Sequence, residues 1–186
     1  KGNIYTHNVI DRIYGSEIAN AGGDYHVGRS MDEGLADYFA CTITDDASHG
    51  DYVNPHPRNL DNNLAYNLGS DDWINGQVIG GAVWDVRKAT NASIADYLAF
   101  KALQLTPHAR SYEDFLFNVL KVDLSTYGGA YHSQIEVAFA KHAISPPGPP
   151  AMTIVSPVLS GWNMVSVPNQ SYDYASQTAQ YLKSFI

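Results

Sequence analysis

The apolar positions of this chain recur mainly at helical spacing. Tyr5, Val9, Ile10 and Ile13 fall on one face of a short helix over residues 5–14, which Gly15 and then Gly22-Gly23 stop and open into a loop. The clearest helix is predicted over 30–43, with Ser30 as its N-cap and Glu33 three residues later in capping-box spacing. Leu35 and Phe39 make an apolar i, i+4 pair there. Glu33 and Asp37 make an acidic pair at the same spacing, displaced by about half a turn. Residues 44–72 have no period and read as a long loop, a kind that in compact domains is usually functional or metal-braced. Ile74, Val78, Val83 and Val86 begin a helix over 74–89, in which Gly80-Gly81 allows close packing. Three further helices are predicted near 93–105, 111–121 and 130–143. Ser145-Pro146-Pro147-Gly148-Pro149-Pro150 reads as a stiff linker. Beyond it, Met152 to Val155 and Trp162 to Val167 read as two strands around Ser160-Gly161, and the stretch from Tyr172 completes no β-domain.

The predicted fold class is therefore mainly α, about six helices, with a short β-tail. The expected division is a helical domain over 1–145, a proline-rich linker over 146–151 and the truncated start of a β-domain over 152–186. No internal repeat is visible.

Composition narrows the function classes. The chain has 186 residues and a formal charge of -8, with no basic run, which argues against nucleic acid or anionic membrane as a partner. It has no stretch of about 18 apolar residues, so no transmembrane helix is expected. The opening Lys1-Gly2-Asn3-Ile4-Tyr5 has no signal-peptide core and reads as a cut within a larger protein. Cys41 is the only cysteine, which excludes an internal disulfide and a cysteine-based zinc site. In its apolar surroundings Cys41 is expected to be a buried small hydrophobe.

The strongest chemical signal is Met31-Asp32-Glu33-Gly34-Leu35-Ala36-Asp37-Tyr38. On a helix, Glu33 and Asp37 point the same way. One carboxylate could bind zinc while the other accepts the outer N–H of a histidine ligand and orients it. A solvated helix face produces the same pair just as often. Upstream lies Tyr5-Thr6-His7-Asn8-Val9-Ile10-Asp11-Arg12.

With these two segments the chain resembles the gluzincin zinc metallopeptidases, particularly the fungalysin-like and thermolysin-like families. Those enzymes carry HExxH on one helix and a glutamate ligand within E-x-x-x-D on the next. Tyr5-Thr6-His7 looks like the end of an HEYTH motif, and the interval from His7 to Glu33 fits the fungalysin-like spacing better than the shorter thermolysin one. Asp72 to Asp85 and Ile135 to His142 also look familial, so the resemblance covers roughly residues 4–145. It implies the helical lobe of such an enzyme, with His7 and Glu33 as metal ligands, Asp37 as a residue that orients a histidine, and zinc as cofactor. It also implies a secreted or extracytoplasmic parent protein. The Glu33 helix is expected to pack on the His7 helix, with Glu33 and Asp37 facing it.

The departures from the family pattern bear on activity. The first histidine of HExxH falls at Asn3, and the glutamate that serves as general base falls at Ile4, which cannot take a proton. Where the family places an oxyanion-stabilising histidine, this chain has Trp73, whose indole N–H carries no charge. The family's N-terminal lobe is missing, so exposed apolar surface and self-association are expected. His7 and Glu33 alone are too few for a catalytic zinc, which normally has three protein ligands. Asp24 and His26, in the loop between the two helices, are candidates for a third, against the plainer reading of a polar loop with a surface histidine. Asn3 is a further, poor donor.

The other histidines receive plain readings. His142 is expected in the last turn of a helix, where a cation suits the dipole. His49, His56 and His108 fall in loops, and His132 opens the last helix in a surface or capping role. The acidic loop residues Asp45, Asp46, Asp51, Asp61, Asp71 and Asp72 could bind calcium, although they lack EF-hand spacing and solvated turns fit them better. Asn91-Ala92-Ser93 and Asn169-Gln170-Ser171 match the glycosylation acceptor pattern.

The expected function is thus a hydrolase of metallopeptidase lineage with an incomplete motif. Its expected activity is weak or altered, directed at a peptide or a small ester. The alternatives are a catalytically inactive metallopeptidase-like fragment and a binding module.

Overall fold

The computed structural model describes residues 2–50 and 57–146. The chain divides at the proline-rich stretch into Lys1–Pro147 and Gly148–Ile186, and only the first of these is described here. The two expected strands, most of the linker, His56, Asp51 and the Asn169 acceptor lie outside the described residues.

The described part is mainly α. In chain order it contains α1 (Gly2–Tyr14), a single 3-10 turn (Ile18–Asn20), α2 (Tyr25–Thr44), α3 (Asp72–Ala89), α4 (Ala92–Gln104), α5 (Tyr112–Tyr127) and α6 (His132–Ala140). Two short strands, β1 (Ser48–His49) and β2 (Arg58–Asn59), pair antiparallel inside the segment expected to be loop. None of the described helices is long and apolar enough to cross a membrane.

Helix α2 starts earlier than its sequence suggested, and the reason is a different cap. The Asp24 carboxylate accepts the backbone N–H of His26 and of Val27, so the helix begins at Tyr25. Ser30 lies well inside it and donates its hydroxyl to the His26 carbonyl at 2.6 Å. Helix α3 likewise starts at Asp72, because Asp71 caps the Ile74 N–H. Helix α5 runs past 121 because nothing stops it before Gly128, which takes the left-handed conformation at φ 66. Asn91 caps α4 through an acceptor bond from Ile94.

Helices α2 and α3 form the centre of the fold, and glycine brings them together. A Cβ on Gly34 would stand 2.0 Å from the Gly76 carbonyl oxygen, and one on Gly80 would stand 2.7 Å from the Gly34 carbonyl oxygen. No other residue fits where two helix backbones touch. Around this contact Leu35, Tyr38, Ile79, Val83, Leu98, Phe115, Leu116 and Phe139 make one apolar core. Cys41 is buried in it, its Sγ 3.5 Å from the Ala47 carbonyl. Helix α1 lies along α2 with Ile10 fully buried, and this placement brings His7 onto the Glu33 side of α2.

Candidate functional site

The face that α2 turns to α1 carries a row of charged side chains. His7 Nε2 lies 3.5 Å from Glu33 Oε2, and its Nδ1 lies 3.0 Å from Asp32 Oδ1. The second contact is close without being aligned, so Asp32 Oδ1 remains a buried oxygen without a true hydrogen-bond donor. Further along, Arg29 Nη2 stands 3.8 Å from Glu33 Oε1, and Arg29 Nε stands 3.8 Å from Asp72 Oδ2. The His7 side chain is 24% exposed, so solvent reaches it.

The carboxylates around His7 change its chemistry. Asp32 above all, and then Glu33, hold the imidazolium in place against the opposing effect of burial, and the His7 pKa is pushed up to about 10. Burial works to raise the Glu33 carboxyl, but His7, Arg29 and Arg58 outweigh it and hold Glu33 below its usual range. At neutral pH the pair is an imidazolium beside a carboxylate, and a metal at Nε2 would first have to displace a proton.

Asp37 is one turn further along and is 1% exposed. The sequence pointed to it as the residue that orients a histidine ligand. Its partners are different. Arg58 grips it with Nε on Oδ2 and with Nη2 on Oδ1 at 2.8 Å. Asn3 donates Nδ2 to Oδ1 at 2.6 Å, and His49 Nε2 lies 3.4 Å away. The physical reason is at position 3: α1 presents an amide there, and the amide N–H bonds the carboxylate. His49, expected to be an ordinary loop residue, is brought to the same carboxylate by the β1–β2 ladder.

The candidate third ligands are engaged elsewhere. Asp24 is an N-cap. His26 is an exposed residue of the first turn of α2, its Nδ1 3.1 Å from Asp72 Oδ1. Ile4 projects from α1 at 68% exposure, and Trp73 is exposed in the first turn of α3.

These distances allow a test of zinc. Neighbouring ligands on a tetrahedral zinc are separated by about 3.3 Å when their bonds are about 2.0–2.1 Å long, and His7 Nε2 and Glu33 Oε2 meet that spacing. Asp32 faces the other ring nitrogen. Among the described residues no three His, Cys, Asp or Glu side chains are grouped to hold a metal ion. Two ligands fit and a full catalytic set does not.

The loop carboxylates considered for calcium go to separate partners. Asp45 pairs with Arg87 at 2.5 Å, Asp61 with Lys88 at 2.5 Å, and Asp46 accepts from the Ser48 N–H. An open groove of about 590 Å³ lies along the C-terminal half of α1, lined by Asn8, Asp11, Arg12, Gly15, Ser16 and Glu17, and does not include His7 or Glu33.

The other histidines vary. His132 Nε2 is 3.5 Å from Glu136 Oε1, and His108 stacks on Tyr14. His142 departs from its expected place. Helix α6 ends at Ala140, and His142 is fully buried in the turn beyond it, with Nδ1 2.9 Å from the Leu64 carbonyl and Nε2 3.3 Å from Asp85 Oδ2.

Sequence reasoning did not find Asp32, Arg29 and Arg58. Asp32 stands beside Glu33 in the quoted motif, so a helical wheel set against α1 could have raised it. Arg58 sits in an aperiodic loop, and nothing local marks it. No protein-family model matches the chain, and no curated protein matches it either.

Proposed function

We propose that this chain is the helical lobe of a hydrolase of zinc-metallopeptidase lineage that has lost peptide hydrolysis and retains weak hydrolysis of activated esters. The observation that carries this reading is the meeting of His7 Nε2 and Glu33 Oε2 at 3.5 Å across α1 and α2. These are the two side chains that the quoted motifs pair. Asn3 on Asp37 supports the same reading, since a donor at position 3 contacts the carboxylate one turn after Glu33.

The chemistry left to the chain is limited. Ile4 offers no base, and Glu33 is held too acidic to take a proton readily. A peptide needs a proton delivered to its leaving amine. A nitrophenyl ester does not, because its phenolate leaves unaided, so the missing base costs it less. The described residues supply only two zinc ligands, His7 and Glu33, one fewer than a catalytic zinc normally has.

The test uses the parent chain, His7→Ala and Glu33→Ala on a nitrophenyl ester and on casein, each with and without zinc. We expect ester turnover to fall by about tenfold to a hundredfold in both variants, the range for disturbing a metal site, and casein to survive in all samples. Ester rates equal in parent and variants at every zinc level would overturn the assignment. Chelator-sensitive casein cleavage would overturn the loss of peptidase activity.

A second reading is a catalytically silent member of the same lineage. The lock of Asp37 by Arg58 and Asn3 favours it, and an ester rate at the solution background would select it.

A further inference from the structure

We propose that Arg58 is a built-in cation that takes the electrostatic place of a metal ion at this site and keeps the His7–Glu33 pair from binding zinc tightly. The proposal rests on the assignment of His7 and Glu33 as the remaining ligand pair.

The geometry carries it in three steps. First, the Arg58 guanidinium is fixed. Its Nε and Nη2 hold both oxygens of Asp37, a bidentate pair in a carboxylate that is otherwise buried. Asn3 and His49 both add to Oδ1 of Asp37, so the carboxylate cannot swing to a metal without breaking several contacts. Second, Asp37 is one helical turn from Glu33, so the guanidinium that grips it stands on the same side of α2 as the His7–Glu33 pair. Arg29 flanks Glu33 from the other side. Third, a dication beside Glu33 would meet a guanidinium that cannot lose its proton and is held by β2. A lysine in a loop could turn away or deprotonate. This arginine can do neither, because its guanidinium stays protonated and its Nε and Nη2 are both held by Asp37.

Two things follow for the molecule. Glu33 and Asp37 are already paired with the chain's own cations, His7 and Arg29 beside one and Arg58 on the other. Zinc affinity is set by Arg58 as much as by the two ligands.

The experiment measures zinc binding by titration calorimetry on the parent chain and on Arg58→Gln, Arg58→Lys, Asp37→Asn/Arg58→Gln and His7→Ala/Arg58→Gln, with circular dichroism to confirm folding. Arg58→Gln is expected to bind zinc at least tenfold more tightly than the parent, while Arg58→Lys, which keeps the charge on a side chain that can turn away, is expected to fall between the two. The double variant with Asp37→Asn removes the buried carboxylate together with its partner. It is read in place of Arg58→Gln where that variant fails to fold, with a smaller gain of about threefold expected, because a negative charge near Glu33 leaves with the positive one. Affinity unchanged or weakened in every folded variant that lacks the charge overturns the proposal, as does tight zinc binding by the parent. If the gain persists in His7→Ala/Arg58→Gln, the cation proposal survives and the assignment of His7 as a ligand fails. The two ideas therefore fail separately.

Discussion

Asp37 and Asp85 are built alike and sit in different kinds of place. Each is a buried aspartate in the middle of a central helix, at 1% and 5% exposure, and each is surrounded by cations and a histidine. Asp37 has Arg58 and His49, with Asn3 as a neutral donor. Asp85 has Lys88 at 2.7 Å, Lys141 at 2.5 Å and His142 at 3.3 Å. The difference lies in what stands next to them. Beyond Asp85 the network closes on one side: His142 is fully buried and its other nitrogen meets the Leu64 carbonyl, while Lys88 and Lys141, each 43% exposed, run out to water. Beside Asp37 the row continues to Glu33 and a partly exposed His7. A buried carboxylate tied to a fully buried histidine works as a clamp. One that borders solvent-reached donors can also take part in chemistry.

That contrast breaks most visibly at Asp85. Asp85→Ala removes the common partner of two lysines and a buried histidine. Breaking a buried pair from one side costs about 3–5 kcal/mol, and the low end applies because both lysines can turn to water. Urea unfolding should show a loss of about 3 kcal/mol, with ester turnover per folded molecule unchanged. A folded Asp85→Ala protein with its turnover gone would show that the clamp and the site are one unit.

The two regions should also fail at opposite ends of the pH scale. His7 has a folded pKa of about 10 against an ordinary value of 6.5. Its contribution is therefore complete below about pH 6.5 and disappears as pH rises through about 10. Asp85 is held below its ordinary value of 3.8: burial opposes this, and Lys141 and Lys88 outweigh it. Its contribution is present above that value and is lost as pH falls further. Unfolding free energy followed from pH 6.5 to 9.5 should decline by on the order of 2 kcal/mol after solvent screening of a partly exposed pair, and His7→Gln should flatten that limb. Asp85→Asn should flatten the acid limb and leave the alkaline one. A decline that survives in His7→Gln would move its cause away from the α1–α2 seam.

The sequence carried the helices better than their edges, and the ligand pair better than its surroundings. Leu35 with Phe39, and Ile74 with Val78, repeat at helical spacing, so α2 and α3 were visible. Their starts were not, because Asp24 and Ser30 are equally good caps on paper and only the loop geometry selects Asp24. The close approach of α2 and α3 was partly legible in Gly80-Gly81, while Gly34 and Gly76, which touch most closely, looked ordinary. His7 and Glu33 could be paired because the motif spacing names them. Arg58 could not, since its role depends on a two-residue ladder within a long loop. His142 was misplaced for a similar reason. A chain that ends its helix at Ala140 and turns inward has no periodic signature.

The smallest effect is expected at a third aspartate, and it sharpens what burial contributes. Asp45 pairs with Arg87 Nη2 at 2.5 Å, about as close as any ion pair at Asp85, but its side chain is 84% exposed. Water already solvates this carboxylate, and holding two long side chains in one geometry costs entropy, so an exposed pair contributes about 0–1 kcal/mol. Asp45 is also the C-cap of α2, in the left-handed conformation at φ 56, which asparagine adopts at least as readily. Arg87 is not stranded by the change, because Thr42 remains at 2.5 Å and Asp96 at 3.6 Å. Asp45→Asn should therefore shift unfolding free energy by no more than about 0.5 kcal/mol, and added salt should erase the difference. A loss near that of Asp85→Ala would mean that ion-pair distance, and not burial, sets the energy of these contacts. The contrast between the enclosed and the open carboxylate would then lose its physical basis.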